Sequence, residues 1–282
     1  MIFIEEKYYK IWITLIPNLG IKKYQNLISK FKNIKNIFNA SKKELENIKL
    51  IDEKICFNIL NSEIRKLAKQ HLIYMEKNKI DILSIEDKEY PDILKNIYSP
   101  PICIYVMGNK EILKNKSIGI IGCRECTEYG KNVAQKFSYD LALNDINIVS
   151  GLARGIDSYA HLGAIYAKGK TTAVLGSGID IIYPKENFFL AEKIINTGGA
   201  IISEYPIGTK PMKINFPARN RIISGISEGL LVVEAKKKSG TLITVDFALE
   251  QGREVFLIPR KYKFYKFWRH KRFNKTRGQN RN

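Results

Sequence analysis

Arg219, Asn220 and Arg221 stand between Pro217 and a run of apolar and small residues that continues to Ser227. Guanidinium and amide donors this close together suit phosphate oxygens, and the Pro and Gly of the segment restrict how the backbone presents them. An ordinary helix start with a solvated basic first turn has the same composition. The helix dipole argues against it, because cations at an N-terminus are unfavourable unless an anion occupies that end. The expectation is a turn at Pro217 followed by a helix start that faces a phosphate.

Elements upstream decide whether such a site can be assembled. From Ser117 onward, short apolar runs alternate with helical patterns, the signature of a mostly parallel sheet. Strands are expected at 118–121, 146–149, 172–175, 200–203, 230–233 and 255–258. Helices are expected at about 129–143, 158–168, 190–195 and 242–251. Open α/β sheets bind ligands at the carboxyl ends of their strands. Those ends read Gly122-Cys-Arg124, Ser150-Gly-Leu-Ala-Arg-Gly155, Gly176-Ser-Gly178, Ser203-Glu204, and Glu234 onward to Ser239-Gly240-Thr241. Small-residue loops converging on one edge, with Arg124, Arg154, Lys236, Lys237 and Lys238 near them, predict a crevice for an anionic ligand.

The first 79 residues read as a small all-α unit. Tyr8, Trp12, Leu15 and Ile16 form a helical stripe, Tyr24, Leu27, Ile28 and Phe31 a second, and Ser41 with Glu44 a capping box. The stretch from Ile16 to Phe31 has the form of a helix-hairpin-helix, whose turn amides can face a DNA backbone or simply pack. His71 is expected to be structural or solvent-facing. Residues 80–116, with Tyr90-Pro91 and Pro100-Pro101, read as a connector and first strand before a main domain at 117–259.

Among 282 residues there are four cysteines, and no apolar run is long enough to span a membrane. The N-terminus lacks a signal-peptide pattern, so reduced thiols and a cytoplasmic location are expected. A formal charge of +19 suggests a nucleic-acid partner. Ten of those charges fall in residues 260–282, which contain no acid, leaving +9 for the first 259.

Catalytic and cofactor motifs are sparse. Gly119-x-x-Gly122 and Gly176-Ser-Gly178 do not make a dinucleotide fingerprint, and there is no P-loop. Cys123-Arg-Glu-Cys126 lacks the second pair or the His that a zinc site requires. His161 is expected to anchor the loop that precedes its helix. Glu204 and Glu234 have the chemistry of an acid and a base, yet acids at strand ends commonly pin adjacent amides. No cofactor, metal or catalytic constellation is expected.

In order, the segments "GIIGCRECTEYG", "IVSGLARGIDSYAH", "VLGSGIDIIYPKEN", "IISEYPIG" and the stretch from Phe216 to Pro259 resemble the DprA/Smf family of bacterial DNA-processing proteins. The resemblance covers about 117–259 and, more loosely, the helical unit, which it makes helix-hairpin-helix or SAM-like. It implies an extended Rossmann-like fold with helices on both faces of the sheet. It also implies non-enzymatic binding of single-stranded DNA, homodimers, and loading of the RecA recombinase during natural transformation. Motif by motif, a Gly-Ser-Arg loop falls on Gly122, Cys123 and Arg124, with Cys replacing Ser. A Lys-x-x-Phe falls on Lys213 and Phe216, to hold phosphate and stack a base. Gly151, Arg154, Lys185, Arg219, Asn220, Arg221 and the loop Lys238-Ser239-Gly240 complete the expected DNA-binding set. The alternative is a nucleotide-cleaving enzyme of phosphoribohydrolase type, whose Gly-Gly-x-Gly-Thr loop is only partly present at Ser239-Gly240-Thr241.

After Pro259 the resemblance stops. Permissible codons for residues 260–281, read one base further on, encode GNINSINSGGTNDLIKQGAKI, which is the family's continuation. A one-base insertion near codon 260 is therefore expected, with loss of a helix that would pack on the main domain. The competing reading is a genuine basic nucleic-acid arm.

Overall fold

The computed structural model describes residues 2–235 and 239–259. Six helices come first: α1 (Ile2–Thr14), α2 (Ile21–Phe31), α3 (Ile34–Phe38), α4 (Lys42–Glu46), α5 (Glu53–Leu60) and α6 (Ser62–Lys77). Local chemistry sets their limits. Ser41 and Glu44 close the capping box on α4, and Asp52 accepts from the Ile55 amide at the start of α5. Lys32, in the left-handed region at φ 70°, ends α2 by donating its amide to the Ile28 carbonyl.

Eight strands then form one sheet in the order β1-β2-β6-β5-β4-β3-β7-β8. They are β1 (Ile80–Ser84), β2 (Cys103–Gly108), β3 (Ser117–Gly122), β4 (Asn147–Ser150), β5 (Thr171–Leu175), β6 (Ala200–Ser203), β7 (Gly229–Val233) and β8 (Glu254–Leu257). The strands from β6 to β8 in that order run parallel, whereas β2 pairs antiparallel with both β1 and β6. The segment read as a connector and first strand thus supplies two strands of the same sheet. Between the strands lie α7 (Asp92–Lys95), α8 (Glu128–Ala142), α9 (Ile156–Tyr166), α10 (Phe188–Asn196), α11 (Asn215–Gly225) and α12 (Gly240–Glu250).

Helices cover both faces. On one face, the six N-terminal helices and α10 pack over β1, β2, β6 and β5. There, Trp12, Leu27, Met75, Ile82, Tyr105, Leu175 and Ile201 belong to one continuous core. Further along that face, α8 and α9 bury Val133, Ala134, Ile156 and Ala160 against Ile120, Ile148 and Leu231. The opposite face is covered by α7, α11 and α12, through Leu94, Ile222, Ile223 and Ala248 on Val149, Val174 and Val232. From β3 the chain winds outward to β4, β5 and β6, then returns to place β7 and β8 on the other side of β3. This reversal opens the strand ends near β3 into a crevice. None of the helices among the described residues is long and apolar enough to cross a membrane.

Pro217 does not make a turn ahead of the helix. It lies in the first turn of α11, which already begins at Asn215. A proline is tolerated there because the first amides of a helix have no intrahelical acceptor.

Candidate nucleic-acid interface

The loop after β3 carries Arg124 and is held firmly. The Cys123 amide donates to the Glu234 carbonyl at 2.9 Å, and the Glu234 carboxylate accepts from the Thr127 amide at 2.9 Å and from the Thr127 hydroxyl. Thr127 in turn caps α8 through the Gly130 amide. Gly155, at φ +74°, packs so closely that a β-carbon would lie 2.4 Å from the Arg124 and Cys123 carbonyl oxygens. Arg124 itself is exposed, and its guanidinium carbon stands 5.7 Å from the centre of the Phe216 ring.

Phe216 is half-buried on α11. Its ring approaches the α-carbon of Gly176, at the end of β5, and lies 5.5 Å from the Tyr183 ring at 39°. The two rings make a partly exposed aromatic step, with Tyr183 43% accessible. Arg154, after β4, is exposed and donates to the Glu186 carboxylate at 2.9 Å. That bond holds the Glu186 carboxyl below its ordinary pKa.

Beneath these groups lies Arg219, only 4% accessible. Its Nη1 donates to the carbonyl oxygens of Gly151, at 2.7 Å, and of Val174, while Nε donates to the Asn220 side chain at 3.1 Å. Desolvation pulls its pKa down to about 10, and the buried Asp157 opposes that fall. Asp157 accepts from the amides of Gly151 and Ala153, and burial raises its carboxyl pKa against the effect of Arg219. Arg124, Gly151, Ala153, Arg154, Tyr183, Pro184, Phe216 and Arg219 line a cleft of about 60 Å³. Three guanidinium groups and an aromatic step around so small a space can hold one phosphate beside one flat ring.

Of the expected residues, the structure brings Arg124, Gly151, Arg154, Phe216 and Arg219 together at this cleft. Gly122 lies one residue before the Arg124 loop, where a β-carbon would strike the Val233 carbonyl at 2.0 Å. Lys185 and Lys213 are exposed and do not line the cleft. Asn220 donates to the Gly240 carbonyl at 3.3 Å and ties α11 to the start of α12. There Thr241 bonds the Gly122 carbonyl, and the Ser239 hydroxyl is buried without a partner among the described residues. Lys238, with Lys236 and Lys237, lies outside the described residues, as does the tail 260–282.

Arg221 does not line this cleft: it donates to both Glu204 carboxylate oxygens, at 2.8 and 2.6 Å, and to the Ser99 carbonyl at 2.8 Å. Burial alone would lower its pKa; the Glu204 charge and bonds raise it instead. His161 differs too. Its Nδ1 meets the Thr171 hydroxyl at 2.7 Å, so it braces α9 against β5 rather than anchoring the preceding loop. Glu204 and Glu234 act as pins, on Arg221 and Thr127 respectively. Tyr183, Glu186 and Asp157 were not read as site residues. The Tyr-Pro-Lys-Glu run from 183 to 186 was the available signal, since it lies in the loop between the β5 strand end and the next helix.

The family model for DNA recombination-mediator protein A matches residues 81–269. The chain belongs to this family. It is 46% identical over 195 residues to the DNA processing protein DprA of Bacillus subtilis, covering 69% of this chain and 65% of that one. The chain therefore spans less than two thirds of that relative's length, and likewise 65% of Protein Smf from Synechocystis. The structure of DNA processing protein A from Streptococcus pneumoniae superposes with a TM-score of 0.70 at 33% identity, covering 90% of this chain and 87% of that one. That of DNA processing protein A from Helicobacter pylori gives a TM-score of 0.59 at 29% identity, covering 64% and 81%. The Helicobacter structure was described for its single-stranded DNA binding mode. The Streptococcus similarity agrees with the mixed α/β fold and its all-α N-terminal region.

Proposed function

We propose that the chain binds single-stranded DNA at the cleft formed by Arg124, Arg154, Phe216 and Arg219, without catalysing a reaction on it. The observation that carries this reading is Arg124 standing over the Phe216 ring beside Tyr183. A cation for phosphate and a ring for a base are thereby set side by side, as a sequence-tolerant single-strand site requires. The Helicobacter relative's single-stranded DNA binding mode supports it. Lys185, Lys213 and the start of α12 around Ser239 and Gly240 extend the path, with Lys238 between them in sequence.

In the cell this activity would serve DNA uptake and recombination, with the chain acting as a cytoplasmic homodimer that passes its strand to the RecA recombinase. The division into 1–79, 80–116, 117–259 and 260–282 belongs to the same proposal, as does a frameshifted origin for the last segment. Among the described residues no geometry favours a phosphoribohydrolase: Glu234 is engaged by Thr127 and Glu250 ends α12.

The test is titration of labelled oligonucleotides against the chain ending at Pro259 and its Arg124→Ala/Phe216→Ala variant, with folding checked by circular dichroism. Binding should prefer single over double strands and weaken by tenfold or more in the variant, roughly the range of one stacked base. Equal affinity of the folded variant would reject the cleft.

A further inference from the structure

The basic charge of the described chain is unevenly placed. Residues 1–79 contain 16 Lys or Arg and eight Asp or Glu, whereas residues 80–259 contain 21 and 20. The sheet that carries the cleft is almost neutral, and the helical unit carries the excess. Between Glu6 and Glu44 there are nine lysines and no acid.

Helix α2 concentrates this pattern. Tyr24 and Leu27 are buried, and Lys22, Lys23, Gln25, Asn26, Ser29 and Lys30 form the other side at helical spacing. That face offers cations, amides and a hydroxyl, with no carboxylate of its own. Lys30 reaches the Glu44 carbonyl at 3.4 Å and Lys23 lies 3.8 Å from Asp52, but Lys22 turns the opposite way. Its ammonium donates to the Tyr98 hydroxyl at 3.4 Å and lies 5.4 Å from the centre of that ring, which is 84% exposed. The lysine engages the hydroxyl edge and leaves the ring's faces open to solvent.

Tyr98 also connects α2 to α11, the helix that contributes Phe216 and Arg219 to the cleft. The neighbouring Ser99 carbonyl accepts from Arg221, on the helix that carries Phe216 and Arg219. Lys22, Tyr98, Ser99 and Arg221 thus form a continuous bridge from the first turn of α2 to α11, beside the carboxyl end of β6, where Glu204 holds Arg221.

We infer that Tyr98 and the lysine face of α2 form a second single-stranded DNA contact, which takes the strand after it leaves the cleft. The inference rests on the cleft reading for its direction, but its chemistry is separate. Tyr98 offers a stacking surface, and Lys22 and Lys30 hold backbone phosphates.

Oligo-dT of about five nucleotides, enough to fill one site, and of about 20, enough to cross both, would be titrated against the full chain. The comparison is with Lys22→Gln/Lys30→Gln/Tyr98→Ala and with the double lysine variant alone. Short-strand affinity should not change in either. The triple variant should lose the gain on lengthening, on the order of tenfold. The salt slope for the long strand should fall by about 1.4, from two single-strand phosphate contacts at about 0.7 each. The double variant should show the slope change with part of the affinity loss. If the long strand keeps its gain and slope, the α2 surface is rejected and the gain belongs elsewhere, for instance to the cations of 260–282. Arg124→Ala in parallel separates the two readings. Short-strand binding that survives it rejects the cleft, whatever happens at α2.

Discussion

A methyl group on the α-carbon of Gly151 would come within 2.5 Å of the Arg219 guanidinium. The same methyl would meet the Asp157 carboxylate at 2.8 Å, so the glycine is what lets both charges sit beneath the cleft. Gly151→Ala should therefore displace Arg219 from the strand-end carbonyls. The expected destabilisation is about 1–3 kcal/mol, as for other overpacked interiors. It would be read from thermal unfolding, with weaker oligonucleotide binding in the protein that remains folded.

Two carboxylates border the cleft, and removing them should have opposite consequences. Glu186 competes with phosphate for Arg154, so Glu186→Gln should tighten oligonucleotide binding, by up to about fivefold for an exposed pair. Glu234 instead fastens the loop that aims Arg124. Glu234→Ala should weaken binding on the order of tenfold, comparable with losing the Arg124 phosphate contact itself. Simple charge removal would strengthen both, so fluorescence anisotropy on the pair decides between aiming and screening.

Arg221 and Glu204 should matter for stability and not for binding. Glu204→Ala leaves a largely buried guanidinium without its partner, a change that costs about 3 kcal/mol. Denaturant titration would measure that loss. Oligonucleotide affinity of the folded variant at low temperature should match the parent protein.

His161 gives the fold a dependence on acidity. Burial holds its pKa down at about 3, against an ordinary 6.5. Between those values the unfolded chain binds the proton and the folded chain does not, so stability falls as the pH drops from about 6.5 toward 3. This group alone contributes a slope of roughly 1 kcal/mol per pH unit. Asp157, whose pKa is raised, acts in the opposite direction. His161→Gln should flatten the acid side of a plot of melting temperature against pH.

The parallel strands were legible because their faces are both covered. Leu230 to Val233 reads as an unbroken apolar run, and it is buried throughout. Strand β2 was harder to recognise because its pairing with β6 is distant in sequence. Tyr105 faces Ser203, a partner almost one hundred residues away that no local pattern announces. Among the candidate residues, Arg124 was legible from its place after a strand and glycine. Arg219 was expected at the strand-end crevice, but not its burial. An arginine beside another arginine suggests solvent, and only the meeting of the β4 and β5 ends supplies the carbonyls that accept from it. The same ambiguity hid the division between Arg219 and Arg221, two residues apart on one helix and held by unrelated partners.

The core shared by the N-terminal helices and the sheet has a practical consequence for exchanging parts between relatives. Trp12, Leu27 and Met75 are continuous with Tyr105, Leu175 and Ile201, so the helical unit is not a cartridge that can be swapped at residue 80. A chimaera joined there would set one family member's helices against another's β2 and β5, and its seam would run through close-packed side chains. Recombination between genes of this family would be tolerated best where no such seam is crossed. On the face opposite these helices, α11 and α12 pack mainly with each other and with their own strands. Variation in the cleft-bearing half can therefore accumulate without renegotiating the helices that hold its far side.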